Sequence, residues 1–240
     1  MRLSRPAFGL VLFLSAVHPA SASQPIPATG DVSAVSFAFE RKGVLVPKYT
    51  LTIRADGSGS YEGEEIIYGT APYAGVASPP QPFDRPVLIS PPTVAHVFAL
   101  AEQLDHFNRA CASKVKNVAD TGTKVLTYTG PDGSGTCTYN YSENKSVEAL
   151  TETFQGIAET MDQGRELDRL HRYDRLGLDA AMTFLAQEVS EKRALEVVNI
   201  QTSLQAIAAD VDVIQRVRTK ANVLLAPIPA SMVKTYSGHK

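Results

Sequence analysis

From Ser146 up to Pro227 the chain contains no proline, and throughout that stretch its apolar residues recur at three- and four-residue intervals. Val147, Leu150, Phe154, Ile157 and Met161 form one such series, Leu178, Met182, Leu185 and Val189 another. Leu204, Ile207, Val211, Ile214, Val217, Ala221 and Leu224 supply one or two more. A pattern of this period buries its apolar side only as helix, and nothing in the stretch breaks one. Ahead of residue 145 the period drops to two. Lys48 to Arg54 puts Tyr49, Leu51 and Ile53 on one face and Thr50 and Thr52 on the other, which only a strand does. Strands first and helices afterwards give an α+β chain: an antiparallel sheet of hairpins covered by helices that start at Pro91 and Ser146, followed by an all-helical C-terminal extension.

The turn chemistry sets the hairpins. Asp56-Gly57-Ser58-Gly59 joins Lys48–Arg54 to a strand over residues 60–67, and Gly130-Pro131-Asp132-Gly133 joins residues 124–129 to residues 136–141. Val35 to Glu40 reads as a further strand. Residues 69–92 hold seven prolines from Pro72 to Pro92 and read as a surface loop. Ser90-Pro91-Pro92-Thr93 then opens a helix whose buried side is Val94, Val97, Phe98, Ala101, Leu104 and Phe107, with a hydroxyl placed to cap its first amides. Leu167, Leu170 and Tyr173 carry the next helix onward, either through Gly164 or after a break there. The expected organisation is a signal peptide over residues 1–22, an α+β domain over 23–163 with its core in 35–161, and a helical region over 164–240.

Export is expected from the first residues. Arg2 and Arg5 precede the apolar run from Phe8 to Val17, and Ala20-Ser21-Ala22 then offers a small-residue cleavage site before Ser23. That run is too short to span a bilayer, and no later segment is long and apolar enough for a second span. Removing 22 residues lowers Lys+Arg from 23 to 21 against 25 Asp+Glu, leaving a weakly acidic protein with no electrostatic reason to hold nucleic acid. Cys111 and Cys137 are the two cysteines, and an oxidising compartment favours a disulfide between them. Closing that loop would stabilise the chain by about 3 kcal/mol on the chain-entropy model. Two buried thiols or a reactive pair are the alternatives, although the spacing is not Cys-x-x-Cys and no histidine adjoins either thiol. A periplasmic or extracellular location follows as an expectation.

Tyr49-Thr50-Leu51-Thr52-Ile53-Arg54-Ala55-Asp56-Gly57 with Tyr61-Glu62-Gly63, the segment Pro91 to Phe107 and the hairpin Thr127 to Tyr141 together resemble an uncharacterised domain family of secreted and envelope bacterial proteins. The resemblance covers about residues 35–161. Members of that family often carry a Cys-Pro pair just before the tyrosine, where this chain has Val46-Pro47-Lys48. The resemblance implies a fold and an extracytoplasmic address, and it transfers no catalytic residue.

Two places carry residue types suited to acid-base or metal chemistry. Asp105-His106 with Asn108 is one. The other is Glu166, Asp168, His171 and Asp174, where Asp168 and His171 share a helix face. Zinc sites want more His or Cys than this, and Arg165, Arg169, Arg172 and Arg175 in the same segment are expected to pair with its acids along a solvated face. No Gly-x-Ser-x-Gly elbow, phosphate loop or EF-hand spacing is present, so no catalytic residue, metal or cofactor is assigned. Tyr49, Tyr61, Tyr128, Tyr139 and Tyr141 fall on the expected sheet, whose aromatics and hydroxyls also suit protein recognition. The expected function is a secreted or periplasmic non-enzymatic module that binds another envelope or secreted protein or acts structurally. The alternative is a hydrolase-like or metal-assisted enzyme using His106 or His171 with neighbouring acids. Self-association through the helices from Leu178 to Leu225 is a further expectation about partners.

Overall fold

The computed structural model describes residues 32–66, 79–115 and 117–226. The proposed signal peptide and residues 67–78 of the Pro-rich stretch lie outside them. The fold is α+β. Six strands, β1 (Ala34–Glu40), β2 (Lys48–Arg54), β3 (Ser58–Glu65), β4 (Gln81–Leu88), β5 (Thr123–Gly130) and β6 (Gly133–Tyr139), form one antiparallel sheet in the order β4-β3-β2-β1-β5-β6. Five helices follow or interrupt them: α1 (Pro91–Gln103), α2 (Lys145–Tyr173), α3 (Leu178–Ser190), α4 (Gln201–Ala209) and α5 (Gln215–Leu225).

Both predicted hairpins form. At the first, the Asp56 carboxylate accepts bonds from the Ser58 amide (2.9 Å) and hydroxyl (2.7 Å), and Gly57 takes the positive φ that the turn demands. At the second, Gly130 pairs with Gly133 across Pro131 and Asp132. The period-two alternation fixes the faces. Phe37, Leu51, Ile53, Tyr61, Leu126 and Tyr139 point under α1 and α2, where Phe37 stacks on Phe154 at 5.4 Å. Burying each large ring there stabilises by about 2 to 3 kcal/mol.

β4 corrects the reading of residues 69–92 as loop. Pro82 and Pro86 argue against a strand only if it is central. Here the strand is at the sheet edge, and its inward amides are the odd-numbered ones, since the Ile89 amide bonds Gly57 while the Leu88 amide points outward to Asn199. The two prolines therefore fall where no ladder bond is lost.

α2 passes through Gly164 without a break. Gly156, Thr160 and Gly164 line one side of it, all buried, and a β-carbon at Gly164 would run into the Ile200 side chain. The glycine is therefore a site of close approach. Residues 193–200 lie along this stripe, and the Leu195 amide bonds the Gly156 carbonyl at 3.0 Å. Two apolar clusters flank it. One holds the sheet, α1 and α2 up to Met161, and the other holds Leu167, Leu170 and α3 to α5. The same 29-residue helix belongs to both.

The segment that crosses α2 also seals the sheet edge. The Asn199 side chain accepts from the Leu88 amide (2.7 Å) and donates to the Leu88 carbonyl (3.0 Å). Glu196, held in a left-handed conformation, accepts from the Ser90 amide (3.1 Å), the Ser90 hydroxyl (2.7 Å) and the Thr93 hydroxyl (2.5 Å). This revises the expected cap of α1. Pro91 and Pro92 offer no amides, so the Ser90 hydroxyl donates to a carboxylate 106 residues later in the chain and caps nothing in its own helix.

Candidate functional site

Cys111 and Cys137 form a disulfide with a Cα–Cα distance of 5.7 Å. It ties the segment that follows α1 to the edge strand β6, on the buried face where alternation places Cys137.

The two histidine neighbourhoods do not assemble as their sequence spacing suggests. His106 has a positive φ in a 3-10 turn, stacks on Tyr128 at 4.0 Å and approaches Asp132 at 3.7 Å. Asp105 turns instead toward Arg109, and the Asn108 side chain bonds the Asp105 carbonyl. The carboxylate beside His106 thus comes from the second hairpin turn. It also accepts the Tyr128 hydroxyl at 2.5 Å, which holds the Asp132 carboxyl below the usual range and raises the tyrosine, already pushed up by burial.

His171 binds Asp210 through Nε2 at 2.8 Å, and Asp210 also takes Arg175 at 3.0 Å. Asp168 is not its partner. The expected run of pairs along α2 is largely replaced by longer-range ones: Glu166 holds Arg169, but Arg175 reaches Asp210 and Asp212, and Asp179 pairs with Arg216 and Lys220. Among the described residues no three His, Cys, Asp or Glu side chains lie close enough to hold a metal ion. No helix of these residues is long and apolar enough to cross a membrane.

The tyrosines and hydroxyls of the sheet separate onto opposite faces. Tyr49, Tyr61, Tyr128 and Tyr139 are buried under the helices, whereas Tyr141 is exposed. On the other face Ser60, Thr52, Ser36, Thr127 and Thr136 stand side by side across five strands. The aromatics therefore build the core, and the polar side is a plain solvated sheet face.

A groove of about 1160 Å³ runs along the outer side of α2, walled by the β1–β2 connection and by the end of α3. Helical spacing brings Glu152, Glu159, Asp162 and Glu166 into it, and Glu65, Glu188 and Glu191 join from the other walls. Arg165, Lys192 and Arg193 are its cations, so seven carboxylates face three positive groups. Glu188 is held by both forks of Arg193 (2.8 and 2.6 Å). Glu152 and Glu159 make no ion pair among the described residues. The solvent side carries Val44 and Leu45, the latter 60% exposed.

Asp162 is the most perturbed carboxyl in this groove. It accepts the Tyr61 hydroxyl at 2.8 Å and Arg165 at 2.9 Å. Arg165 reaches on to Glu65 at 3.3 Å and lies over the Phe83 ring at 4.1 Å. Burial outweighs the cation and pushes the Asp162 carboxyl up to about 6. Tyr61 is raised as well, by burial first and by the adjacent carboxylate second. Of the charged groove residues on α2 and at the end of α3, only Arg165 and Glu166 were singled out from sequence. The available signal was the acid at i, i+7 and i+10 on a helix whose opposite side is apolar. Compared with known proteins, no family model matches the chain. No curated protein matches it either.

Proposed function

We propose that this chain is an exported, non-enzymatic module that binds another envelope or secreted protein through the groove along α2. The observation that carries the reading is the groove's composition: an elongated trough with an excess of carboxylates, two of them outside any ion pair among the described residues, and an aliphatic rim. Such a surface suits a basic segment bearing one or two apolar residues, because charge complementarity steers the encounter and the rim supplies the desolvated contact. Export rests on the N-terminal pattern and is compatible with the disulfide. The kinship of residues 35–161 to an uncharacterised secreted and envelope family belongs to the same proposal. The enzymatic alternative has less behind it, since among the described residues no hydrogen bond joins His106 or His171 to a hydroxyl or thiol that either could activate.

The test is affinity capture from the extracytoplasmic fraction with three baits. These are the chain from Ser23 onward, the same chain with Glu152→Lys and Glu159→Lys, and one with Thr52→Arg and Thr127→Arg on the solvated sheet face. The proposal expects a saturable, salt-sensitive partner on the first and third baits and its loss from the second. Retention by the groove variant, or loss from the sheet-face variant alone, moves the function elsewhere. Absence of a saturable partner on any bait removes the binding reading.

A further inference from the structure

On the other side of α2 lies a second cleft, of about 400 Å³, with the turn Val197–Ile200 and the first turn of α4 as its far wall and Arg85 of β4 at its mouth. Its balance of charge is opposite to that of the first. Arg85, Arg172 and Arg165, the last shared with the acidic groove, line it with His171 against the single carboxylate of Asp168.

Helical geometry accounts for the grouping. Positions 161, 164, 165, 168, 171 and 172 share one face of α2, and Gly164 lets Ile200 rest directly against the helix backbone, which leaves the longer side chains standing around an open space. Arg165 is oriented from behind by Asp162 and Glu65, and only 14% of its side chain remains exposed. Arg85 and Arg172 are different. Neither side chain makes an ion pair or hydrogen bond among the described residues, yet both border the same cleft. In a chain of net negative charge, two uncommitted guanidinium groups meeting over a concave site are a local reversal of field, and low-dielectric walls concentrate it. Ser203 adds a hydroxyl on the opposite wall.

We infer that this cleft binds a phosphate ester. The planar forks of Arg85 and Arg172 match the phosphate oxygens, the Ser203 hydroxyl donates a further bond, and Asp168 accepts from a hydroxyl of the esterified alcohol. The site is distinct from the acidic groove and would operate whether or not that groove takes a protein. A soluble ester and a phospholipid headgroup present the same chemistry, and the experiment separates them.

Calorimetry on the chain from Ser23 onward uses glycerol 3-phosphate as the soluble probe, and sedimentation uses vesicles of phosphatidylglycerol against vesicles of phosphatidylcholine. The variant is Arg85→Ala with Arg172→Ala, two exposed side chains whose loss leaves the core intact. Saturable binding of glycerol 3-phosphate by the native chain is expected, weakened at least tenfold in the variant. Sedimentation with phosphatidylglycerol vesicles alone, lost in the same variant, would assign the phosphate to a lipid headgroup, and its absence beside soluble binding would assign a free ester. Equal binding by native chain and variant, or no binding of either probe, overturns the inference.

Discussion

Replacing Asn199 by alanine tests the claim that the C-terminal segment stands in for a missing strand at the sheet edge. The native side chain makes three hydrogen bonds, two to the Leu88 peptide and one to the Glu196 carbonyl at 3.0 Å. At a net worth of about 1 kcal/mol each, and with the Leu88 groups left half-buried and only partly rehydrated, the variant should lose about 2 to 3 kcal/mol. For a folded chain of this size that corresponds to a fall in Tm of about 5 to 10 °C. Asn222→Ala, which removes one exposed bond to the Arg218 carbonyl, is the control and should shift Tm by a degree or less. Thermal unfolding followed by circular dichroism gives the magnitude, and amide hydrogen exchange at Leu88 gives the place. A Tm equal to the control's with unchanged exchange at Leu88 would refute the reasoning, because water would then serve that edge as well as the side chain does.

Two further outcomes follow from the same contacts. The Asp162 carboxyl keeps its proton up to about pH 6 in the folded chain, whereas its unperturbed value is 3.8. The folded state therefore binds more protons between those values, so stability is highest below about pH 4 on this account and falls by about 3 kcal/mol as pH rises from about 4 to 6. Asp162→Asn should flatten that part of a urea-unfolding profile, and an unchanged slope counts against the assignment. Gly164→Ala should destabilise by about 1 to 2 kcal/mol despite alanine's better helix propensity, since the added methyl meets the buried, β-branched Ile200. A more stable variant in the same urea titration would mean that Ile200 yields.

The parts of this fold legible in the sequence are those decided locally. Strand alternation over residues 48–54, the Asp-Gly and Pro-Asp-Gly turns and the heptad-like spacing of α2 each carry their instruction within a few residues, and each forms as read. β4 was missed because its prolines are disqualifying in a central strand and harmless at an edge, and edge position is a property of the whole sheet. Gly164 leaves a continuous helix and a break equally open until the partner that needs its bare backbone is known to be Ile200. Val211 and Ile214 continue the helical period yet fall in the turn between α4 and α5, where Val211 is 80% exposed. The candidate sites were the least legible. His106 and His171 take their carboxylates from residues 26 and 39 positions away, and the acidic groove draws walls from three separate segments, so spacing along the chain could not announce either.

The bonding of Glu196 and Asn199 to Leu88, Ser90 and Thr93 also sets an order of events. Strand β4 is complete more than a hundred residues before the Leu88 peptide at its end acquires a partner, so a chain that stops short of residue 199 leaves that end of the sheet edge unsealed. Fragments ending near Met161 would thus expose the Leu88 end of β4, because Pro82 and Pro86 already deny the outer edge two donors, and the Val197–Ile200 turn is the stitch that closes what they leave open.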